Sequence, residues 1–260
     1  MKEIQAIPRR VLREMKIISD QKGIMERYLS EAEGWREHLA RTRAFILDTV
    51  AGTKPATAMV CGSGWLLDLP LKELAGMCGQ LYLADIRHPV PVKRRTGKIP
   101  SCRLIRADLT GGAVMGAYRY VQGLKSHNPR PPLSSIPVNI PRLGVHPDLF
   151  ISLNILNQMD ILLVDYLKRF CRPSDEEISG FRKRIQQNHL DLIGTARTCL
   201  ISDTEEIQLD ERDVEKARKD LILVDLPVPE KSATWTWDFD RSGTYNRGMM
   251  TRMIVRALEY

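Results

Sequence analysis

The 260-residue chain predicts an α/β fold: a mostly parallel sheet closed by an antiparallel hairpin, with helices ahead of the first strand. Three observations predict it. After residue 57, short apolar runs of strand length alternate with longer runs of helical period. The first fifty residues carry helical periodicity and no strand pattern. Near the C-terminus, two alternating runs flank the turn-rich Asp240-Arg241-Ser242-Gly243, a link suited to a hairpin.

Taken in order, residues 9–18 and 23–49 read as helices, the second with Tyr28, Leu29, Ala32, Trp35 and Leu39, then Ala44, Phe45 and Leu47, at three- and four-residue spacing. Residues 57–61 form a first strand that runs into Gly62-Ser63-Gly64, and residues 66–77 read as the helix after it. A second strand, 80–84, ends at Asp85, and a third, 101–105, ends near Asp108. Residues 112–124 are helical. The segment 127–147 holds six prolines and reads as an irregular insertion or lid. A fourth strand follows at 148–153, helices at 156–170 and 175–193, a fifth strand at 198–202 and a short helix at 214–220. The hairpin runs 233–239 and 250–258 close the chain. The expected organisation is an N-terminal helical cap, 1–52, and one α/β domain, 53–260, carrying the proline-rich insertion 127–147.

Hydrophobic residues make up 43% and charged residues 27% of the chain, which excludes wholesale disorder. Five cysteines, at 61, 78, 102, 171 and 199, form no CxxC pair, which argues against a disulfide scaffold or zinc ribbon and for a reducing compartment; no metal site is expected. The N-terminus lacks the apolar core of a secretory signal. The most apolar stretch, 149–167, carries Asn154, Asn157, Gln158, Asp160 and Asp165, too polar for a membrane span. The expectation is a soluble, cytoplasmic protein of unspecified oligomeric state.

The net charge of +7 is unevenly placed: residues 86–147 hold eleven Lys or Arg and a single acid, Asp108. Such a block attracts an anionic partner, nucleic acid included, or forms a solvated basic face. It lacks the interleaved aromatics on which single-stranded nucleic acids stack.

In parallel sheets ligands bind beyond the carboxyl ends of the strands, so the residues just after each strand are the candidate site. After the first strand, Gly62 and Gly64 permit a tight turn and close backbone approach, with the N-terminus of the next helix expected to point at the ligand. The third position of a dinucleotide fingerprint is Leu67 rather than glycine, which weakens a nicotinamide reading, and no Tyr-xxx-Lys pair is present. Asp85, twenty-one residues beyond Gly64, suits a ribose diol, with a helix cap as its plainer role. Asp108 either neutralises its basic neighbours or accepts an adenine amino group. Asn154 after the fourth strand faces the same crevice or caps the next helix.

This ordered set resembles the class I, Rossmann-like S-adenosylmethionine-dependent methyltransferases over roughly residues 57–260, and the resemblance implies a seven-stranded sheet with an antiparallel closing hairpin. It implies S-adenosyl-L-methionine as cofactor, held by Gly62, Ser63, Gly64, Asp85, Ile86, Asp108, Leu109 and Asn154, with the glycine turn against its methionine part. The N-terminal helices would cover it, Trp35, His38, Arg41 and Arg43 bordering the pocket. The chain departs from the family at Val60, where an acid is usual, and in lacking a third glycine. Asn154-Ile155-Leu156-Asn157 replaces the Asn/Asp-Pro-Pro-aromatic motif of base-amine methylation. The expected function is methyl transfer to a small-molecule acceptor under a proline-rich lid. The alternatives are a degenerate cofactor-binding or interaction module, and an RNA methyltransferase using the basic block. His146, Asp148, Asp203 and Tyr245 are the acceptor-side candidates, and no catalytic base is assigned among them. Removing the Asp85 carboxylate is expected to weaken cofactor binding and barely affect folding.

Overall fold

The computed structural model describes residues 7–124 and 129–260, so the expectation on the first six residues and His127 itself lie outside the described residues. Three helices come first: α1 (Arg9–Glu14), α2 (Ile17–Ser30) and α3 (Ala32–Thr53). The parallel strands follow as β1 (Thr57–Cys61), β2 (Gln80–Asp85), β3 (Cys102–Arg106), β4 (Leu149–Leu153) and β5 (Arg197–Leu209), interleaved with α4 (Leu71–Met77), α5 (Val90–Thr96), α6 (Ala113–Gly123), α7 (Ile161–Cys171) and α8 (Asp175–Ile193). Strands β6 (Glu215–Asp220), β7 (Lys231–Asp240) and β8 (Met250–Glu259) complete the chain.

The strand order is β3-β2-β1-β4-β5-β8-β7; the first five are parallel, β8 runs antiparallel between β5 and β7, and β6 pairs with β5. This is a Rossmann-like sheet closed by an antiparallel hairpin, and the order reverses between β1 and β4, where such sheets bind ligands. Central β1 and β4 are apolar almost throughout, as strands covered on both faces require. One buried cluster joins Met59, Phe150, Leu163, Phe181 and Ile185 on one side of the sheet. A second joins Trp35, Ile46, Val60, Leu83, Ile151 and Trp237 on the other, so α3 packs into the sheet's own core.

Three expected elements differ. Residues 214–220 form no helix: β5 overhangs its parallel partners, and β6 is an eighth strand that pairs with the overhang. All six β6 residues are exposed, so no buried stripe distinguished strand from helix. The turn is made by Asp210, whose Oδ1 accepts the N–H groups of Arg212 and Val214 at 2.9 and 3.0 Å. The helix expected from residue 66 starts only at Leu71, with Pro70 as its N-cap and Leu66 in the left-handed region at φ 60°. A residue before proline is pushed out of the helical region, which keeps Leu69 extended. No helix N-terminus therefore points at the glycine turn. The helix expected from 156 likewise starts at Ile161, with Asp160 at the N-cap position and its carboxylate bound to Arg182 and Gln186 rather than to the helix.

The described part of the proline-rich segment does not cover the turns after β1 and β4; it reaches only the loop after β3, where residues 139–143 share a cavity with Ala107 and Asp108. It lies against α6 and α8: Leu133 and Ile136 are buried, and Arg184 donates to the carbonyl oxygens of Ser134 and Ile136, both at 2.6 Å. Arg130 pairs with Glu177 at 2.5 Å. Gly111, at φ 68°, meets Asn139 so closely that a Cβ would sit 1.7 Å from its carbonyl oxygen. Only glycine allows that seat.

Candidate functional site

Two adjoining cavities open beyond the carboxyl ends of the parallel strands. The inner one, about 200 Å³, is lined by Gly62, Gly64, Asp85, Ile86, Asp108, Leu109 and Asn154 beneath Ile17, Gln21 and Ile24 of α2. The outer one, about 330 Å³, is lined by Ser63, Asp68, Asn157 and Asp203, with Trp35 and His38 of α3 and Trp237, Phe239 and Tyr245. Gly62, Gly64, Trp65 and Asn154 border both, so the chambers meet at the turns after β1 and β4.

The glycine turn is tied across to β2. Gly62 N–H donates to the Ala84 carbonyl at 3.0 Å, and Gly64 N–H donates to Asp85 Oδ2 at 2.8 Å. Gly62 adopts φ 84°, and a Cβ there would lie 2.8 Å from the Ile155 side chain. Leu66, two residues beyond Gly64, is also left-handed, and its side chain is buried, 2% exposed. Asp85 Oδ1 accepts the Arg87 N–H at 3.2 Å, and burial raises the carboxyl pKa against those donors. The carboxylate thus holds the loop together, so the expectation that folding is indifferent to Asp85 is corrected. Each oxygen keeps a further lone pair toward the cavity.

Asp108 Oδ1 accepts the backbone and hydroxyl hydrogens of Thr110 at 3.0 and 2.5 Å, while its shielded Oδ2 has no partner. Burial also raises this carboxyl. Asn154, at φ 47°, does not cap α7, which begins seven residues later. Its amide donates to Asp68 Oδ2 at 2.8 Å, and its Oδ1 is buried without a partner. The inner chamber is roofed by α2, which buries no residue of its own. Gln21 fastens it, donating to the Arg87 carbonyl at 3.1 Å and accepting from the Arg87 guanidinium at 2.8 Å.

The outer chamber is made inside elements rather than at their ends. His38 Nδ1 lies 3.1 Å from Trp235 Nε1, which can only donate, and His38 Nε2 lies 3.3 Å from the side-chain amide of Asn154. Burial pushes this imidazole down to about 3, keeping it neutral, and it stacks on Trp237 at 3.9 Å between centroids. Trp237 meets Trp35 and Phe239 edge to face at 4.7 and 4.9 Å. Arg27 of α2 lies 4.8 Å over both Phe239 and Tyr245.

Asp203 sits in β5, not in a solvent-facing loop, and is 2% exposed. The pairing of β5 with β8 slips between Asp203 and Glu205, a bulge that turns the strand at this residue. A second slip in β7, between Asp238 and Asp240, places Phe239 at the same chamber. Asp203 Oδ2 lies 3.5 Å from the Asn157 amide, while Oδ1 is buried and unpartnered, as is Trp237 Nε1. Burial pushes the Asp203 carboxyl up to about 7, the Asn157 contact opposing and the Asp68 charge adding.

All eight strand-end candidates therefore border one of the two chambers: Ser63 the outer, the other seven the inner. Of the acceptor-side candidates, Asp203 and Tyr245 line the outer chamber and His146 and Asp148 do not. Asp148 binds the N–H and hydroxyl of Thr57, the first residue of β1, at 2.8 and 3.0 Å, so it and exposed His146 stand at the opposite, amino end of the sheet. Trp35 and His38 border the outer chamber, while Arg41 pairs with Glu37 on the surface and Arg43 donates to the Leu67 carbonyl. The reading of the sequence missed Gln21, Asp68 and Asn157; of these only Asp68, closing the loop that begins at Gly62, had a positional signal. Among the described residues no group of three or more His, Cys, Asp or Glu is placed to hold a metal, and no helix is long and apolar enough to cross a membrane.

No family model and no curated protein sequence matches the chain. Solved structures with a distant likeness include the N-methyltransferase NodS from Bradyrhizobium japonicum WM9 in complex with S-adenosyl-L-homocysteine, at 10% identity and TM-score 0.41, covering 86% of this chain and 87% of that one. A complex of DhpI with SAH covers 96% and 98%, at 8% identity and TM-score 0.40. The Burkholderia thailandensis 1,6-didemethyltoxoflavin-N1-methyltransferase, with bound 1,6-didemethyltoxoflavin and S-adenosylhomocysteine, covers 100% and 93%, at 11% identity and TM-score 0.37.

Proposed function

We propose that the protein is an S-adenosylmethionine-dependent methyltransferase, with the cofactor's adenosine in the inner chamber and a small-molecule acceptor in the outer one. The observation that carries this reading is the junction of two chambers at the glycine turn and Asn154, one lined by strand-end acids and the other by a buried carboxylate and aromatic rings. A group-transfer enzyme needs two pockets whose contents meet end to end, because holding the partners in line supplies much of the rate.

The residues present fit the cofactor. Asp85 has lone pairs left for two ribose hydroxyls, a charged acceptor being stronger than a neutral one. The unpartnered Asp108 Oδ2 suits an exocyclic amino group, and Ile86 and Leu109 supply apolar surface beside it. Gly62, Ser63, Gly64 and Asn154 would border the methionine portion. When bound, the cofactor supplies an electrophilic methyl group on its sulfonium sulfur. The chain's own part is to orient the acceptor at the junction and to exclude water, α2 roofing the site with Gln21 as its fastening. Titration calorimetry with S-adenosylhomocysteine, with NAD and NADP as controls, tests the reading: saturable binding of S-adenosylhomocysteine alone is expected, and its absence would remove the cofactor from the proposal.

A further inference from the structure

We infer that the acceptor is a primary or secondary amine carried on a flat, largely apolar body, and that Asp203 is the carboxylate that receives its N–H. This deepens the methyltransferase reading and rests on it. Three buried oxygens at the outer chamber have no hydrogen-bond partner: Asp203 Oδ1, Asn154 Oδ1 and the Ser63 hydroxyl. The amide oxygen and the ionised carboxylate only accept, and a buried acceptor left unpaired is costly, so the ligand is expected to bring donors. A carboxylate or thioether brings none, and a hydroxyl brings one. A protonated amine brings two or three.

Charge points the same way. Asp20, Asp68, Asp165 and Asp203 line the outer chamber with Arg27 as the one cationic side chain among its lining residues. Arg27 already covers the faces of Phe239 and Tyr245, its buried Nε still without an acceptor, so one guanidinium stands against four carboxyl side chains at the chamber. Trp35 and Trp237, both packed against Phe239, and the neutral His38 ring stacked on Trp237 supply apolar surface for the body of the ligand. Trp237 Nε1 is a buried donor without an acceptor and suits an oxygen on that body. The bulge in β5 accounts for the position of Asp203, re-aiming one carboxylate out of a regular ladder.

The chemistry balances. An amine entering as R–NH3+ gives one proton to the Asp203 carboxylate and becomes R–NH2. Its lone pair forms the N–C bond as the methyl–sulfur bond breaks, and the electron pair of that bond stays on sulfur as a neutral thioether. The product leaves as R–NH2–CH3+, and protonated Asp203 returns its proton to solvent when the chamber opens. A base that titrates near neutrality is suited to this cycle, and burial holds the Asp203 carboxyl near that range, at about 7.

The test is calorimetric binding of phenethylamine, tyramine and tryptamine to the protein, with and without S-adenosylhomocysteine, beside 2-phenylethanol and 3-phenylpropionate. At least one amine should bind saturably and the alcohol and acid should not. Asp203→Asn should weaken amine binding by about 10-fold or more, the loss of a charged hydrogen bond. The same variant should leave the S-adenosylhomocysteine dissociation constant within about twofold, because Asp203 lies outside the inner chamber. Methyl transfer to the bound amine should fall by about 100-fold or more, the usual loss of a general base. Asp203→Asn keeps the side-chain shape, and its denaturant midpoint reports that it folds. Amine binding unchanged in Asp203→Asn, equal binding of the alcohol or acid, or no binding of any amine would overturn the inference. Failure of S-adenosylhomocysteine to bind the unaltered protein would instead overturn the cofactor reading, and the two failures are read separately.

Discussion

The inner chamber is built from turns that follow four parallel strands, the outer one from side chains in the middle of a helix and two antiparallel strands. Backbone does much of the work in the first: the peptides of Gly64 and Arg87 are fixed by one carboxylate, Asp85, and that of Gly62 by the Ala84 carbonyl. In the second, neutral His38, Asp203 and the aromatic side chains are held by burial and ring packing. On the proposed reading, the difference teaches that one sheet can offer a general nucleotide seat and a particular acceptor seat side by side. The first depends on topology, the second on which core residues are allowed to stay polar.

The buried titrating groups should respond to acid in opposite directions, and this is the largest effect expected. His38 is held at about 3 and His189, buried with its Nε2 2.8 Å from Ser152 Oγ, at about 4, both lowered by burial. In the unfolded chain each takes up a proton near pH 6.5, so folding stability is full above that value and is lost as pH falls toward 4, by about 4–6 kcal/mol for the pair. Asp203 has the opposite sign: raised to about 7, it contributes stability below the unfolded carboxylate value that is lost as pH rises through 7. Urea unfolding between pH 4 and 8 should show the histidine loss toward acid, opposed in part by the raised carboxyls of Asp68, Asp85, Asp108, Asp160 and Asp203, and reduced in His189→Asn. Asp203→Asn should gain relative to the unaltered protein on the alkaline side. An acid limb unchanged in His189→Asn would contradict the assignment of a neutral buried ring.

Next in size is Asp85→Ala, which should cost about 2–3 kcal/mol of stability by stranding the Gly64 and Arg87 N–H donors. It should also weaken S-adenosylhomocysteine binding by more than about tenfold as the ribose loses its charged acceptor. Asp85→Asn should keep more of the stability than of the affinity. A fully stable Asp85→Ala, measured by denaturant midpoint, would mean that the loop is held by something other than this carboxylate.

The smallest effect belongs to the basic block. Lys93, Arg94 and Arg95 are exposed in the last turn of α5, where cations complement the helix dipole. Arg103, Arg106 and Arg130 donate to carbonyl oxygens or to Glu177 and serve the fold. Replacing Lys93, Arg94 and Arg95 together by Ala should change stability by no more than about 0.5 kcal/mol each and leave cofactor affinity unaltered. Salt-dependent RNA binding lost in that triple variant would instead make this face an interface.

The inner chamber was legible because strand ends announce themselves: an apolar run, then Gly62-Ser63-Gly64, Asp85, Asp108 or Asn154. Position alone placed these residues at one crevice once the sheet was parallel. The outer chamber was not, since His38 and Trp237 look in sequence like members of amphipathic elements, and Asp203 looks like part of an acidic loop. Their meeting depends on a bulge at Asp203 and on α3 crossing β7, contacts separated by well over a hundred residues. The eighth strand was hidden for a related reason. Nothing in Glu215–Asp220 marks a strand, and only the overhang of β5 makes it one.

The central claim is that the proposed cofactor's adenosine belongs to the inner chamber and that Asp203 of the outer chamber serves the acceptor and not the cofactor. Calorimetric titration of S-adenosylhomocysteine into the unaltered protein, Asp85→Asn and Asp203→Asn tests it most directly. The account predicts saturable one-site binding that Asp85→Asn weakens by more than about tenfold and Asp203→Asn leaves within about twofold. No binding to the folded, unaltered protein, or equal losses in both variants, would contradict it.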